Sequence, residues 1–280
     1  MLEDVINQTF ETTHAWTEPT SEISETEETT IETLSPVEMT TTTETTVNIE
    51  TTEGKTEEQS DEVTLSDFEH RDFYIDYDTD PDLDIGITKF LNKNAKIVTI
   101  PSEIDGRPVI YLDNVFDENE IVEEIILPDT ILFIDAGAFE GCTSLKHIKL
   151  SANITMLPSF DGCTSLTEID IPESVTTITE GAFSGCTSLT SITLPANVEK
   201  INSTVFRNCT NLKAVSLNDG LKRIERCAFQ NCTNLTELII PDSVTYIAKQ
   251  AFSGCENLVV TYKGKQYTSD DNENRWWALY

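Results

Sequence analysis

A cysteine that returns every 23 residues, with nearly the same words around it, limits what this chain can fold into more than any other feature. "EGCTSLKHIKLS", "DGCTSLTEIDIP", "SGCTSLTSITLP", "RNCTNLKAVSLN" and "QNCTNLTELIIP" share one frame. The column is Cys142, Cys163, Cys186, Cys209, Cys232 and Cys255, with a first step of 21 residues and four of 23. Twenty-three residues before Cys142 stands Asn119, in the degenerate copy "DENEIVEEIILPD". Six apolar columns keep register with the cysteine: Leu189, Ile192, Leu194, Val198, Ile201 and Phe206 recur as Leu212, Val215, Leu217, Leu221, Ile224 and Phe229. A period of about 20 to 29 residues is that of leucine-rich repeats, well short of helical-hairpin repeats.

Within a unit, the end of "L-x-x-I-x-L" alternates as a strand does. Pro128, Pro172, Pro195 and Pro241 close it, because proline offers no N–H to continue a ladder. "V-x-x-I" is too short for a helix, and the "AFSGC" corner suits a 3₁₀ turn. The expected fold is a mainly β, right-handed leucine-rich-repeat solenoid with one parallel strand per coil. One unit cannot stand alone. Burying six large apolar side chains yields about 12 kcal/mol, whereas ordering 23 residues costs at least about 1 kcal/mol each in backbone entropy. Neighbouring coils must cover one another.

Composition divides the chain. It carries 50 acidic and 18 basic residues, a net charge of -32, which argues against nucleic acid or an anionic membrane as partner. Residues 1 to 60 hold a single basic residue, Lys55, and are dominated by Thr and Glu. That segment lacks the apolar side chains needed to offset ordering, so residues 1–66 are expected to be a disordered stalk spanning about 45 Å. No apolar run is long enough for a membrane span. "MLEDVINQTF" does not read as a signal peptide.

"IPESVTTITEGAFSGCTSLTSITLP" resembles the repeat of BspA-like leucine-rich-repeat proteins. The likeness covers about residues 68 to 280. "IPSEIDGRPVIYLDNVF" is similar to the family's first repeat, "FYIDYDTDPDLDIGITKF" to its N-terminal hairpin cap, and "VVTYKGKQY" to its closing cap. The resemblance implies a cap at 67–93, about seven repeats over 94–258 and a C-terminal cap at 259–280. It also implies a bacterial cell-surface or secreted module that binds proteins and has no catalytic residues. Asn119, the two-residue shortening at "MLPSFDGC" and the lack of a leader depart from the family pattern.

The cysteines admit several chemistries. Equivalent positions in stacked strands lie about 4.8 Å apart with parallel side chains, too far at Cβ for ordinary disulfides. A line of one cysteine per coil does not make a zinc tetrahedron, and the three histidines, His14, His70 and His147, do not accompany the close pair Cys227 and Cys232. No base is placed for a nucleophile. Free cysteine packs as a small hydrophobe, so the column reads as a buried ladder. Cys227 shares its column with Gly181, Thr204 and Gln250 and reads as a partly exposed, stray thiol.

Asp76 to Gly86, "DYDTDPDLDIG", fails the calcium-loop pattern, with Pro81 and Ile87 where Gly and Glu are required. Asn153, Asn202, Asn208, Asn231 and Asn234 head N-x-S/T triplets that follow from the repeat wording. No cofactor or metal is expected.

Residues flanking the buried middle of each strand should face outward and line a concave surface. One column is Glu124, His147, Glu168, Ser191, Ala214 and Glu237; the other is Ile126, Lys149, Asp170, Thr193, Ser216 and Ile239. Lys146, His147 and Lys149 form a basic spot between acidic flanks. This strip is the expected contact for a protein partner of a monomeric domain. The competing readings are a structural spacer or self-associating layer and an enzyme pocket; the latter lacks facing carboxylates in a cleft.

Overall fold

A computed structural model describes residues 62–73 and 84–268. Residues 1–61 of the expected stalk, residues 74–83 and the chain after residue 268 lie outside the described residues; residues 62–66, expected as the end of a disordered stalk, are instead ordered, with Val63 packed against the core. A 3₁₀ turn, Leu65–Asp67, leads into an antiparallel hairpin of Phe68–Phe73 and Asp84–Phe90. The second hairpin strand then pairs in parallel with Arg107–Leu112 and begins the stack.

Each coil places one strand on what we call the inner face: Ile97–Thr99, Glu124–Ile126, His147–Lys149, Ser191–Thr193, Ala214–Ser216, Glu237–Ile240 and Val259–Tyr262. Their registers are in parallel and keep Val98, Ile125 and Ile148 in one column, then Ile192 with Val215, and Leu238 with Val260. Counting Ile169, which stands in the same column without an assigned strand, gives eight coils. Lys265–Tyr267 turns back antiparallel on Val259–Tyr262 and closes the end.

The coil carries more strand than expected. "V-x-x-I" contributes a second, two-residue parallel strand, as at Met156–Leu157 with Thr177–Ile178 and at Lys200–Ile201 with Arg223–Ile224 and Tyr246–Ile247. β-Branched residues suit it because side chains alternate between core and solvent there. The proline after the inner strand does more than stop it. The carbonyls of Pro128, Pro172, Pro195 and Pro241 accept the N–H three residues on, at 3.0 to 3.2 Å, and so turn the chain toward the second strand.

The corners are short turns closed by bonds to the third residue back, the 3₁₀ pattern, without extending into a helix; among the described residues the only 3₁₀ helical element is Leu65–Asp67. Cys186 N–H donates to Phe183 O (3.1 Å), and Leu189 N–H to Cys186 O (3.2 Å). Other corner amides reach the next coil instead. Phe183 N–H donates to Val205 O and Gly185 N–H to Arg207 O, both at 2.8 Å. Sending donors outward to the neighbour keeps the backbone from closing a regular helix. The residue before each cysteine makes the turn left-handed: Gly141, Gly162, Gly185, Asn208, Asn231 and Gly254 all have φ between 60° and 79°. Glycine and asparagine tolerate that region best.

Phe116, Phe139, Phe160, Phe183, Phe206, Phe229 and Phe252 stack through the core, with ring centroids 5.1 to 5.9 Å apart and planes within 21° of parallel. The short coil keeps this stack. Pro158, Ser159 and Phe160 replace a five-residue corner, and Ser159 N–H turns to Ala136 O (2.8 Å).

Candidate interaction face

All six repeated cysteines are buried and free. They are not inert packing alone. Each thiol donates to the phenylalanine carbonyl of the preceding coil, 26 residues earlier or, at the short coil's Cys163, 24, from Cys142 Sγ to Phe116 O through Cys255 Sγ to Phe229 O, at 2.9 to 3.2 Å. The same carbonyls accept the backbone amide of their own coil's cysteine, or of Asn119 at Phe116, so the sulfur satisfies a second lone pair. Burial pushes the Cys186 thiol well up and the Cys209 thiol up to about 12. At Cys163 and Cys232 a hydrogen bond with the neighbouring thiol, then burial, acts in the same direction. A thiol without thiolate character is a poor nucleophile and a poor metal ligand. Among the described residues, no group of three or more His, Cys, Asp or Glu side chains is placed to hold a metal.

Where the cysteine is replaced, an amide substitutes for it differently. Asn119 Oδ1 accepts Ile121 and Val122 N–H, both at 2.9 Å. Asn92, one coil earlier, accepts Asn94 N–H (3.0 Å) and Ala95 N–H (3.1 Å) in the same way. The N-x-S/T asparagines also hold coils together: Asn153 donates to Asp129 O, Asn202 to Ile178 O, Asn231 to Asn208 Oδ1 and Asn234 to Thr210 O.

Cys227 departs from the sequence expectation. It is 9 % exposed, and its column is a second left-handed position: Gly181, Thr204, Cys227 and Gln250 have φ of 69°, 59°, 56° and 64°. The glycine at the head of that column was the signal available in the sequence.

The outward columns of the inner strands lie in register. Glu124 pairs with His147 and Ile126 with Lys149; Ser191 pairs with Ala214 and Thr193 with Ser216. Toward the C-terminal end Glu237 pairs with Val259 and Ile239, 73 % exposed, with Thr261, in a group of strands separate from Ala214–Ser216. His147, Lys149, Glu168, Asp170, Ser191, Thr193, Ser216 and Glu237 are all exposed, and Glu124 is half-buried.

The basic spot is partly consumed by pairing. Lys146 Nζ lies 2.5 Å and Lys96 Nζ 2.9 Å from the two oxygens of Glu123. Hydrogen bonds from Lys146, then Lys96, bring the Glu123 pKa down to about 2. His147 Nδ1 stands 3.8 Å from Glu168. Lys149 has no ion-pair partner within 4.0 Å among the described residues, so it is the cation this spot presents to solvent.

The inner ladder is not continuous. Leu166–Asp170 carries no assigned strand, and the pairing that ends at His147–Lys149 resumes only at Ser191–Thr193. This gap follows directly after the shortened corner. A cleft opens there, with Glu168, Asp170, Glu173, Ser191 and Thr193 on its walls and Ile169 and Ile192 in its floor. The sequence placed the wall residues in their columns, but not the cleft.

Comparisons with known proteins agree with this architecture. The model of the BspA type leucine rich repeat region matches six copies, over residues 110–159 and 156–268. A leucine-rich repeat protein of T. pallidum is 34% identical, with a TM-score of 0.64; the match covers 70% of this chain and 90% of that one. A leucine rich cell surface protein of Faecalibacterium prausnitzii A2-165 is 32% identical at a TM-score of 0.62, covering 75% of this chain and 56% of that one. A leucine-rich repeat protein of Bacteroides ovatus is 26% identical at a TM-score of 0.62, with 71% and 52% covered. The chain thus spans about half of these last two proteins. A search of curated proteins returned no match. Among the described residues, no helix is long and apolar enough to cross a membrane. Repeats of this type are generally protein-interaction or surface modules. With more than half its length matched by the repeat model, the chain belongs to the BspA-type leucine-rich repeat family.

Proposed function

We propose that this chain is a non-enzymatic protein-binding module of a bacterial cell surface, and that partners dock on the inner strand face. The observation that carries the reading is the cleft at Glu168, Asp170, Ser191 and Thr193, midway along a register-aligned strip of exposed side chains. Exposed polar columns on a rigid ladder present contacts without an ordering cost on the module's side. Glu124, Glu168, Asp170 and Glu237 leave the strip acidic around Lys149, which suits a partner with basic contacts at its rim. Lys146 flanks the strip and serves it by fixing Glu123. The surface location is supported by the F. prausnitzii relative, itself a leucine rich cell surface protein.

An array of extracellular proteins, probed with the wild-type chain and with Glu168→Lys/Asp170→Lys, tests this. The expected result is at least one partner whose affinity falls about tenfold or more in the double variant, with an unchanged thermal midpoint. Partners indifferent to the charge reversal would overturn the assignment of the face. Recovery of further copies of this chain alone would favour a self-associating layer.

A further inference from the structure

The corner flank, away from the inner strands, carries a second groove. It crosses four coils and is lined by Glu180, Ser203, Thr204, Arg207, Arg226, Cys227, Gln230 and Gln250. The repeat does not require its chemistry. At the column of Arg207 the neighbouring coils have Ser184, Gln230 and Ser253; at that of Arg226 they have Glu180, Ser203 and Lys249. Two arginines therefore line one groove of a chain with net charge -32. Arg226 Nε is steered by Gln250 Oε1 at 3.1 Å, which leaves its terminal N–H groups for another acceptor. Arg207 is exposed and has no ion-pair partner among the described residues.

The backbone adds an independent observation. Thr204, Cys227 and Gln250 all lie in this groove, and all three are held at positive φ. Gly181 fills the same column in the preceding coil, where no side chain has to be carried through the left-handed turn. For a β-branched residue such as Thr204 the conformation is a true outlier, and such outliers gather at ligand clamps. Three coils in succession thus hold a side chain where glycine would sit without strain.

From this we infer that the groove is a binding site for a carboxylate-bearing saccharide, a uronic or sialic acid unit. Two guanidiniums lining one groove suit a carboxylate, for which arginine offers a planar fork of donors. Ser203 and Gln230 supply a hydroxyl and an amide that both donate and accept, Gln250 supplies its amide N–H groups, and Thr204, whose hydroxyl donates to Ser203 O (2.7 Å), supplies an acceptor oxygen. Glu180, two coils from Arg226 in the same column, is an acceptor that suits ring hydroxyls. The site is distinct from the inner strand face, and its test is independent of that reading.

The experiment is calorimetric titration of the full chain with oligogalacturonate, with oligosialic acid, with a neutral galacto-oligosaccharide of equal length and with an oligoglutamate peptide. One or both acidic saccharides should bind, more weakly at higher salt, and the one that binds names the sugar. Arg207→Ala/Arg226→Ala should abolish the signal. Thr204→Gly/Cys227→Gly/Gln250→Gly should weaken it about tenfold or more while the thermal midpoint stays level or rises, an outcome a purely structural column would not give. Glu168→Lys/Asp170→Lys should leave it unchanged. The inference is overturned if neither acidic saccharide binds, if the neutral one binds equally, if oligoglutamate alone binds, or if the arginine variant binds as wild type.

Discussion

The corner spine and the inner strand face of the same coil follow different rules. Along the spine, seven phenylalanine rings and six thiols repeat one geometry, with thiol–carbonyl distances confined to 2.9–3.2 Å. Along the face, neighbouring positions run from Glu124 through His147, Glu168 and Ser191 to Ala214, with no chemistry sustained for three coils. Backbone hydrogen bonds join successive coils beneath both, although the strand ladder of the face is interrupted at Leu166–Asp170. What differs is that a spine residue must fit its own copy in the next coil, whereas a face residue meets solvent. Repetition here marks structural obligation, and irregularity marks freedom to recognise.

The largest expected break in that contrast is at a ring. Phe183 is fully buried between Phe160 and Phe206 at 5.7 and 5.6 Å. Phe183→Ala should cost about 3–5 kcal/mol, measured by equilibrium unfolding in denaturant. Next is the thiol. Cys186→Ala removes one buried sulfur and its bond to Phe160 O, and should cost about 1–2 kcal/mol. On the face, Glu168→Lys should change stability by less than about 0.5 kcal/mol; a loss of several kcal/mol would show that the residue packs rather than faces out.

The smallest effect concerns acid. Hydrogen bonds from Lys146 and Lys96 hold the folded pKa of Glu123 at about 2, below its ordinary value of 4.5. A depressed carboxylate stabilises the fold above its unfolded pKa, and that contribution fades as pH falls through the folded value. Wild type should therefore be more stable than Glu123→Gln near neutral pH. The difference should shrink between about pH 4.5 and 2. Paired thermal melts across that interval measure it, and a gap that widens toward acid would reverse the sign of the argument.

Much of this was legible in the chain. A 23-residue period with six apolar columns dictates a stacked solenoid, and alternation about Ile192 dictates that Ser191 and Thr193 face outward. Three things were not. The second strand escaped because two residues, such as Lys200–Ile201, are too few to show a period. The left-handed columns were written as Gly or Asn before each cysteine, but Thr204, Cys227 and Gln250 hide theirs because their side chains give no such hint. The cleft escaped because it arises from pairing that fails between Lys149 and Ser191, next to a corner two residues short, and pairing between coils is not encoded in any one of them.

If the strand face is what partners recognise, the repeated cysteines beneath it must be closed to solvent. Labelling the native chain with a thiol reagent at neutral pH, with mass spectrometry before and after denaturation, tests this most directly. At most one of the seven thiols, Cys227, should label in the native state, and all seven should label after unfolding. Six thiols reacting together in the native protein would contradict the buried column, and with it the assignment of faces.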